Sequence, residues 1–161
     1  MRESVGAAGI FSICLTFIIL FTAYLAISVN YAKAFRIKSN IVSMIEENEG
    51  YNGNLEERII NYLVSEGYTA SGTCAPFIGA NNGYYDGWDL VSEIKIYNNV
   101  SSNSNACVYR RTASSNDDIA NCNSYYKVIA FFKLDLPVIN YFSAFKVGGE
   151  TKMIHDFTVS C

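Results

Sequence analysis

The chain has 161 residues, a charged fraction of 17% and a net charge of −3. That balance gives no electrostatic footing for nucleic acid, which is held by clustered lysine and arginine, and no RNA-reading, zinc-finger or helix-turn-helix pattern is present. Tyrosine, asparagine and serine supply the polarity that charged side chains supply in an average domain.

Residues 5–29 contain no charged side chain. As a helix rising about 1.5 Å per residue, this run covers the roughly 30 Å hydrocarbon core of a bilayer. Its apolar stretch exceeds the roughly 7–15 residues of a cleaved signal peptide, and the small-x-small triplet Ala32-Lys33-Ala34 stands well past it. Ala8, Ser12 and Thr16 recur every four residues within the span. They share one face, where small side chains permit another helix to approach closely and hydroxyls can bond across the contact.

The helical pattern continues past the span. Ala34, Ile37, Ile41, Met44 and Ile45 form an apolar stripe, with Lys33, Arg36, Lys38, Glu46 and Glu47 largely off it. No Pro or Gly interrupts residues 10–49, and Gly50 supplies a stop. The expectation is one helix of about 40 residues, apolar all round in its first half and amphipathic in its second. Asn54, with Glu57 three positions on, reads as the start of a second, short helix. Leu55, Ile59, Ile60 and Leu63 form its apolar face, and Gly67 closes it.

From Tyr68 the period changes to two. Tyr126, Val128, Ala130, Phe132, Leu134 and Leu136 alternate with Lys127, Lys133 and Asp135, and Pro137 ends that strand. Phe145, Val147, Met153, Phe157 and Val159 alternate with Lys146, Glu150, Lys152 and Asp156. Leu90, Ile94 and Ile96 mark a third strand and residues 107–112 a fourth. One apolar and one polar face on each predicts an antiparallel sheet covered on one side only, the cover being the amphipathic half of the long helix. The fold class is therefore α+β: long helix, short second helix and an antiparallel sheet of about four strands. Residues 79–87, 98–105 and 114–123 read as polar loops.

Cys14 lies in the apolar run, where a thiol behaves as a small hydrophobe. Cys74, Cys107, Cys122 and Cys161 follow it. An even number in a small Tyr/Asn/Ser-rich domain points to two disulfides and an oxidising compartment. Free buried thiols are the rival; zinc is disfavoured because no C-x₂₋₄-C knuckle exists. Of three possible connectivities, the expected one is Cys107–Cys122 across a polar loop with Cys74–Cys161 tying down the chain end.

Two signals bear on orientation. Lys33, Arg36 and Lys38 just past the span argue for a cytoplasmic domain by the positive-inside rule, and the cysteines argue the reverse. The cysteines carry more weight, because the basic residues occupy helical spacing and are followed at once by Glu46, Glu47 and Glu49. The expected organisation is a cytoplasmic tail at 1–4, a transmembrane helix at 5–29 and an extracytoplasmic domain at 30–161.

Residues that carry chemistry are sparse. His155, the one histidine, lacks a nucleophile and an orienting acid, since the alternation puts Asp156 on the opposite face. Asp117-Asp118 and Glu46-Glu47-Glu49 lack calcium-loop spacing, and no phosphate-binding glycine loop follows a strand. No catalytic residue, metal site, cofactor or small-molecule substrate is assigned. The segment with Asn81, Tyr84, Tyr85 and Trp88 is a possible ligand-binding loop.

The stalk-and-sheet arrangement resembles type IV pilins and, more closely, the minor pilin-like proteins of tight-adherence (Tad) pilus systems. Residues 125–157, with a strand ending at Leu136-Pro137 and then Phe145-Lys146-Val147 and Thr151, look like the closing part of such proteins. Major pilins carry glutamate at the fifth mature position after a glycine. Cutting after Gly9 would place Cys14 there, and cutting after Gly6 would place Phe11. The resemblance thus implies an accessory subunit of a surface filament or secretion apparatus. Its partners would be the bilayer and other pilin-like or membrane assembly subunits. The competing class is a membrane-anchored extracellular ligand-binding or sensor domain.

Overall fold

The computed structural model describes residues 2–74, 87–96, 103–112, 123–133 and 145–156. Helix α1 runs unbroken over Arg2–Glu47, 46 residues, or about 70 Å at 1.5 Å per residue. It ends through a left-handed residue, Glu49 at φ 51°, followed by Gly50 at φ 135°. The Gly50 amide donates back to the Ile45 carbonyl at 3.3 Å, capping a carbonyl the helix leaves open. The expected stripe is the buried one: Ala34, Ile37, Ile41 and Ile45 are fully buried, with Met44 partly so.

Helix α2, Gly53–Ser65, is capped two residues earlier than the sequence suggests. Its cap is Asn52, not Asn54: Asn52 is extended (φ −140°, ψ 170°) and its Oδ1 accepts the Leu55 amide at 2.8 Å. Asn54 falls inside the first turn, and Glu56 instead accepts hydrogen bonds from the Tyr51 and Ser92 hydroxyls, both at 3.1 Å. Leu55, Ile59 and Leu63 are buried. Gly67, at φ 58°, closes the helix while the Tyr68 amide donates to the Leu63 carbonyl at 3.0 Å.

Strands β1 (Asp89–Ile94), β2 (Ala106–Thr112), β3 (Asn123–Phe132) and β4 (Phe145–Glu150) form an antiparallel sheet in that order, and the two-residue β5 (Ile154–His155) also pairs with β3. The α+β architecture is as the patterning predicts, with α1 packed on β3 and β4. Ile94, Ala106, Val108, Tyr126, Val128, Ala130 and Ile154 join the α1 stripe and the α2 face in one core.

Two expectations are overturned. The sheet is covered on both faces: Cys107, Tyr109, Ile129 and Phe131 point away from the helices, yet they are buried together with Cys74 and Trp88. Among the described residues, Trp88 and the stretch 72–74 contribute to this cover. Gly72 exchanges backbone hydrogen bonds with Ser104 at 2.9 and 2.8 Å. A Cβ on Gly72 would lie 2.3 Å from the Phe131 ring, so only glycine lets the backbone pass this closely.

The second correction concerns the last strand pattern, which is broken by a bulge. Lys127 pairs with Glu150, whereas Ser124 pairs with Ile154, so residues 151–153 carry one more residue than the opposing stretch of β3. Thr151 bridges the gap, its amide donating to the Tyr126 carbonyl at 2.8 Å and its Oγ1 accepting the Tyr126 amide at 3.0 Å. One extra residue reverses the facing of everything after it. Met153 and His155, expected inside, are exposed, and Asp156, expected outside, is fully buried. Leu134, Leu136, Pro137, Phe157 and Val159 lie outside the described residues.

Candidate membrane and assembly surfaces

The first half of α1 exposes nearly everything it carries. Ile10, Phe11, Ile13 and Phe17 are each 65–71% exposed, and the apolar stretch of this helix is the single candidate span among the described residues. A continuous apolar surface on this scale is incompatible with water and needs lipid or protein around it.

Ala8, Ser12 and Thr16 are exposed on one face of this helix. The Thr16 Oγ1 donates to the Ser12 carbonyl of its own helix at 2.9 Å, so its hydrogen is already committed. That face is suited to close backbone approach, and the threonine's contribution to a partner is as acceptor. The free thiol of Cys14 is exposed nearby.

Where the span meets the domain, aromatic rings gather. Tyr31 stacks near Phe35 (centroids 6.4 Å) and meets Phe132 edge-on (5.8 Å), and Phe132 stacks on Phe145 (5.1 Å). Residues 31–35 lie within about 10 Å of Val29 along the helix axis. This aromatic group marks the junction between the exposed apolar half of α1 and the sheet. Cations surround it. Lys38 lies over the Phe35 ring at 4.0 Å, Arg36 faces Glu66 at 3.8 Å, and Lys33 donates to the Gly67 carbonyl at 3.4 Å.

The disulfide joins Cys74 to Cys107, with Cα atoms 5.7 Å apart. This replaces both expected pairings, Cys107–Cys122 and Cys74–Cys161. Cys107 is the second residue of β2, on its outer face, where the chain at Cys74 crosses it, a neighbourhood that sequence spacing cannot reveal. Cys122 and Cys161 lie outside the described residues.

Of the possible binding loop, Asn81, Tyr84 and Tyr85 also lie outside the described residues. Trp88 is buried, 7% exposed, with the Lys127 ammonium 5.3 Å from its ring. It packs the outer face of the sheet and is not an exposed ligand-contacting aromatic.

A shallow depression of about 400 Å³ is lined by Glu46, Glu49, Lys152, Met153, Ile154 and His155. Within it Glu46 accepts the Lys152 amide at 2.9 Å, so this carboxylate ties the bulge to α1. Asp156 accepts the Tyr126 hydroxyl in the core. Among the described residues no cluster of three or more metal-ligating side chains occurs. Burial lifts the phenols of Tyr51 and Tyr68 above the ordinary tyrosine range; at Tyr51 the Ser92 hydrogen bond opposes this and the Glu56 carboxylate adds to it. The Lys95 ammonium, 2.8 Å away, draws the Glu93 carboxyl below its usual value.

The chain matches no protein-family model, no curated protein and no solved structure.

Proposed function

We propose that this protein is a membrane-anchored, pilin-like accessory subunit of a surface filament or secretion apparatus, akin to the minor pilins of tight-adherence systems. Residues 1–4 lie in the cytoplasm, 5–29 cross the bilayer and 30–161 lie outside. It works by helix packing and protein–protein contacts, without catalysis. The observation that carries this reading is the continuity of α1: the exposed apolar half and the buried spine of the domain are one helix, Arg2–Glu47. A passive tether needs no such rigidity, whereas a subunit whose helix packs in an assembly transmits its position through it. The Cys74–Cys107 bridge supports an oxidising compartment for the domain.

Replacing Ser12 and Thr16 with Leu tests the reading. The span stays apolar, so membrane levels are expected to hold, while bulk on that face blocks close approach of a second helix. Co-purification with partner subunits should be lost. Normal co-purification from the double variant would contradict the assembly role.

A further inference from the structure

Leu20, Tyr24, Ile27, Tyr31 and Phe35 recur at intervals of three and four residues, so they fall on one face of α1. All five are exposed, between 40% and 66%. The face therefore runs without a break from the apolar half of the helix to the level of the domain. There it meets a corner of the sheet. Tyr31 contacts the Phe132 ring edge-on, and Phe132 stacks on Phe145, its partner in the β3–β4 register. Phe145 opens β4 and is 39% exposed. Tyr31, Phe35 and Phe145 thus leave an aromatic surface uncovered where the apolar helix joins the sheet, the kind of patch that marks a membrane or protein contact.

The height of this patch narrows what covers it. Residues 5–29 amount to about 37 Å of helix against roughly 30 Å of hydrocarbon, so the last residues of the run already stand among the headgroups. Tyr31 follows about 3 Å higher. Lys33 and Arg36 on α1 and Lys146 beside Phe145 are exposed. Long basic side chains so placed carry their charge to the headgroups while their stems lie on apolar surface. The chain between Phe132 and Phe145 also starts and ends at this corner. It carries Leu134, Leu136, Val138, Ile139, Tyr141 and Phe142 against two charged residues, Lys133 and Asp135, a composition far more apolar than that of an ordinary solvated connection. We infer that this corner of the sheet is seated on the bilayer, with Tyr31, Phe35 and Phe145 in the interfacial layer, where aromatic rings are favoured. The inference rests on the membrane-anchored reading above and adds to it a second membrane contact, made by the folded domain. Two contacts fix the pose of the domain on the membrane. The bulge at 151–153, tied to Glu46 about 22 Å further along α1, is then the end presented away from the lipid.

The test places the full chain, a single copy per nanodisc, in phosphatidylcholine carrying bromine on its acyl chains, a short-range quencher of indole. Phe145→Trp adds a reporter at the corner, Met153→Trp one beside the bulge and Phe17→Trp one at the middle of the span. The unmodified chain, whose single tryptophan is the buried Trp88, supplies the background. The added emission of Phe145→Trp should be lost to bromine near the glycerol end of the lipid and less so to bromine deep in the chain. Phe17→Trp should show the reverse order, and Met153→Trp should respond to neither. Quenching of Phe17→Trp without quenching of Phe145→Trp would overturn the inference and leave the anchor reading standing. Absence of quenching at both positions would overturn both. Shielding of Phe145→Trp from bromine and from aqueous iodide alike would mean that protein covers the corner, which also overturns the seating. Should Phe145→Trp disturb the sheet, a lipid with gadolinium on its headgroup reads the unmodified chain by nuclear magnetic resonance. The Phe145 amide should broaden strongly and the Met153 amide should not; equal, weak broadening of the two would overturn the seating.

Discussion

The Tyr126 hydroxyl donates to the Asp156 carboxylate in the core, joining β3 to the chain just beyond β5, and both residues are fully buried. The same hydroxyl oxygen accepts the Tyr51 amide at 3.3 Å, which fixes the turn between the two helices. Tyr126→Phe removes the buried hydrogen bond to the Asp156 carboxyl and leaves that amide without its side-chain acceptor. A loss of about 1–3 kcal/mol is expected from leaving buried polar groups unsatisfied, read by chemical denaturation of the full chain in detergent.

The cysteine pairing is open to direct mapping. Non-reducing proteolysis should yield a peptide pair containing Cys74 and Cys107, and a Cys107–Cys122 pair would contradict the structure. With Cys74 and Cys107 joined, a second bridge in the domain has only Cys122 and Cys161 to use. The observed bridge spans 33 residues and should stabilise the domain by roughly 3–4 kcal/mol in the chain-entropy model, lost in Cys74→Ser.

Gly72 and Gly67 should respond differently to alanine. A methyl at Gly72 meets the Phe131 ring at 2.3 Å, an overpacking expected to cost about 1–3 kcal/mol. Phe131→Leu should recover part of that cost in the double variant. A methyl at Gly67 meets open space, so Gly67→Ala carries only the backbone penalty of φ +58°, about 1 kcal/mol. Thermal unfolding of the three variants distinguishes the two causes.

Alkaline titration should show that Tyr51 and Tyr68 do not ionise with the exposed tyrosines. The folded-state pKa values of Tyr51 and Tyr68 are raised by burial, while an unfolded tyrosine ionises near pH 10. The stabilisation from keeping these phenols neutral is therefore complete below about pH 10 and drains away as pH rises beyond it. Absorbance of phenolate should rise in two stages, the second coinciding with loss of the circular dichroism of the folded domain. A single stage near pH 10 with the fold intact would contradict the burial of both rings.

Surface labelling reports orientation and tests the packing of Lys127 together. In intact cells a membrane-impermeant amine reagent should modify Lys152, which is exposed. Lys127 should lag behind it, because its side chain is 16% exposed and pairs with Glu150 at 3.0 Å. Protection of Lys152 in intact but not lysed cells would place the domain in the cytoplasm.

The helices and their buried stripes were legible because 3.6-residue periodicity is local: Ile37, Ile41 and Ile45 announce their face without reference to any other element. The sheet was legible only as far as period two holds. The extra residue at 151–153 exchanges the facings of Met153, Ile154, His155 and Asp156, and no composition signal marks it. The second covered face had a signal in the unbroken apolar run Val128-Ile129-Ala130-Phe131-Phe132, which reads as a strand buried on both sides. The partner of Cys107 depends on which segment crosses β2, a fact of topology.

In-cell photo-cross-linking within the span tests most directly whether α1 is an assembly helix. A photoreactive residue replaces Ser12 or Thr16 in one set of variants and Ile10 or Cys14, about half a turn round the helix, in the other. Discrete protein adducts from positions 12 and 16, with none from 10 and 14, are the predicted result. Absence of protein adducts from both faces would mean that the helix is a passive tether in lipid and would contradict the account.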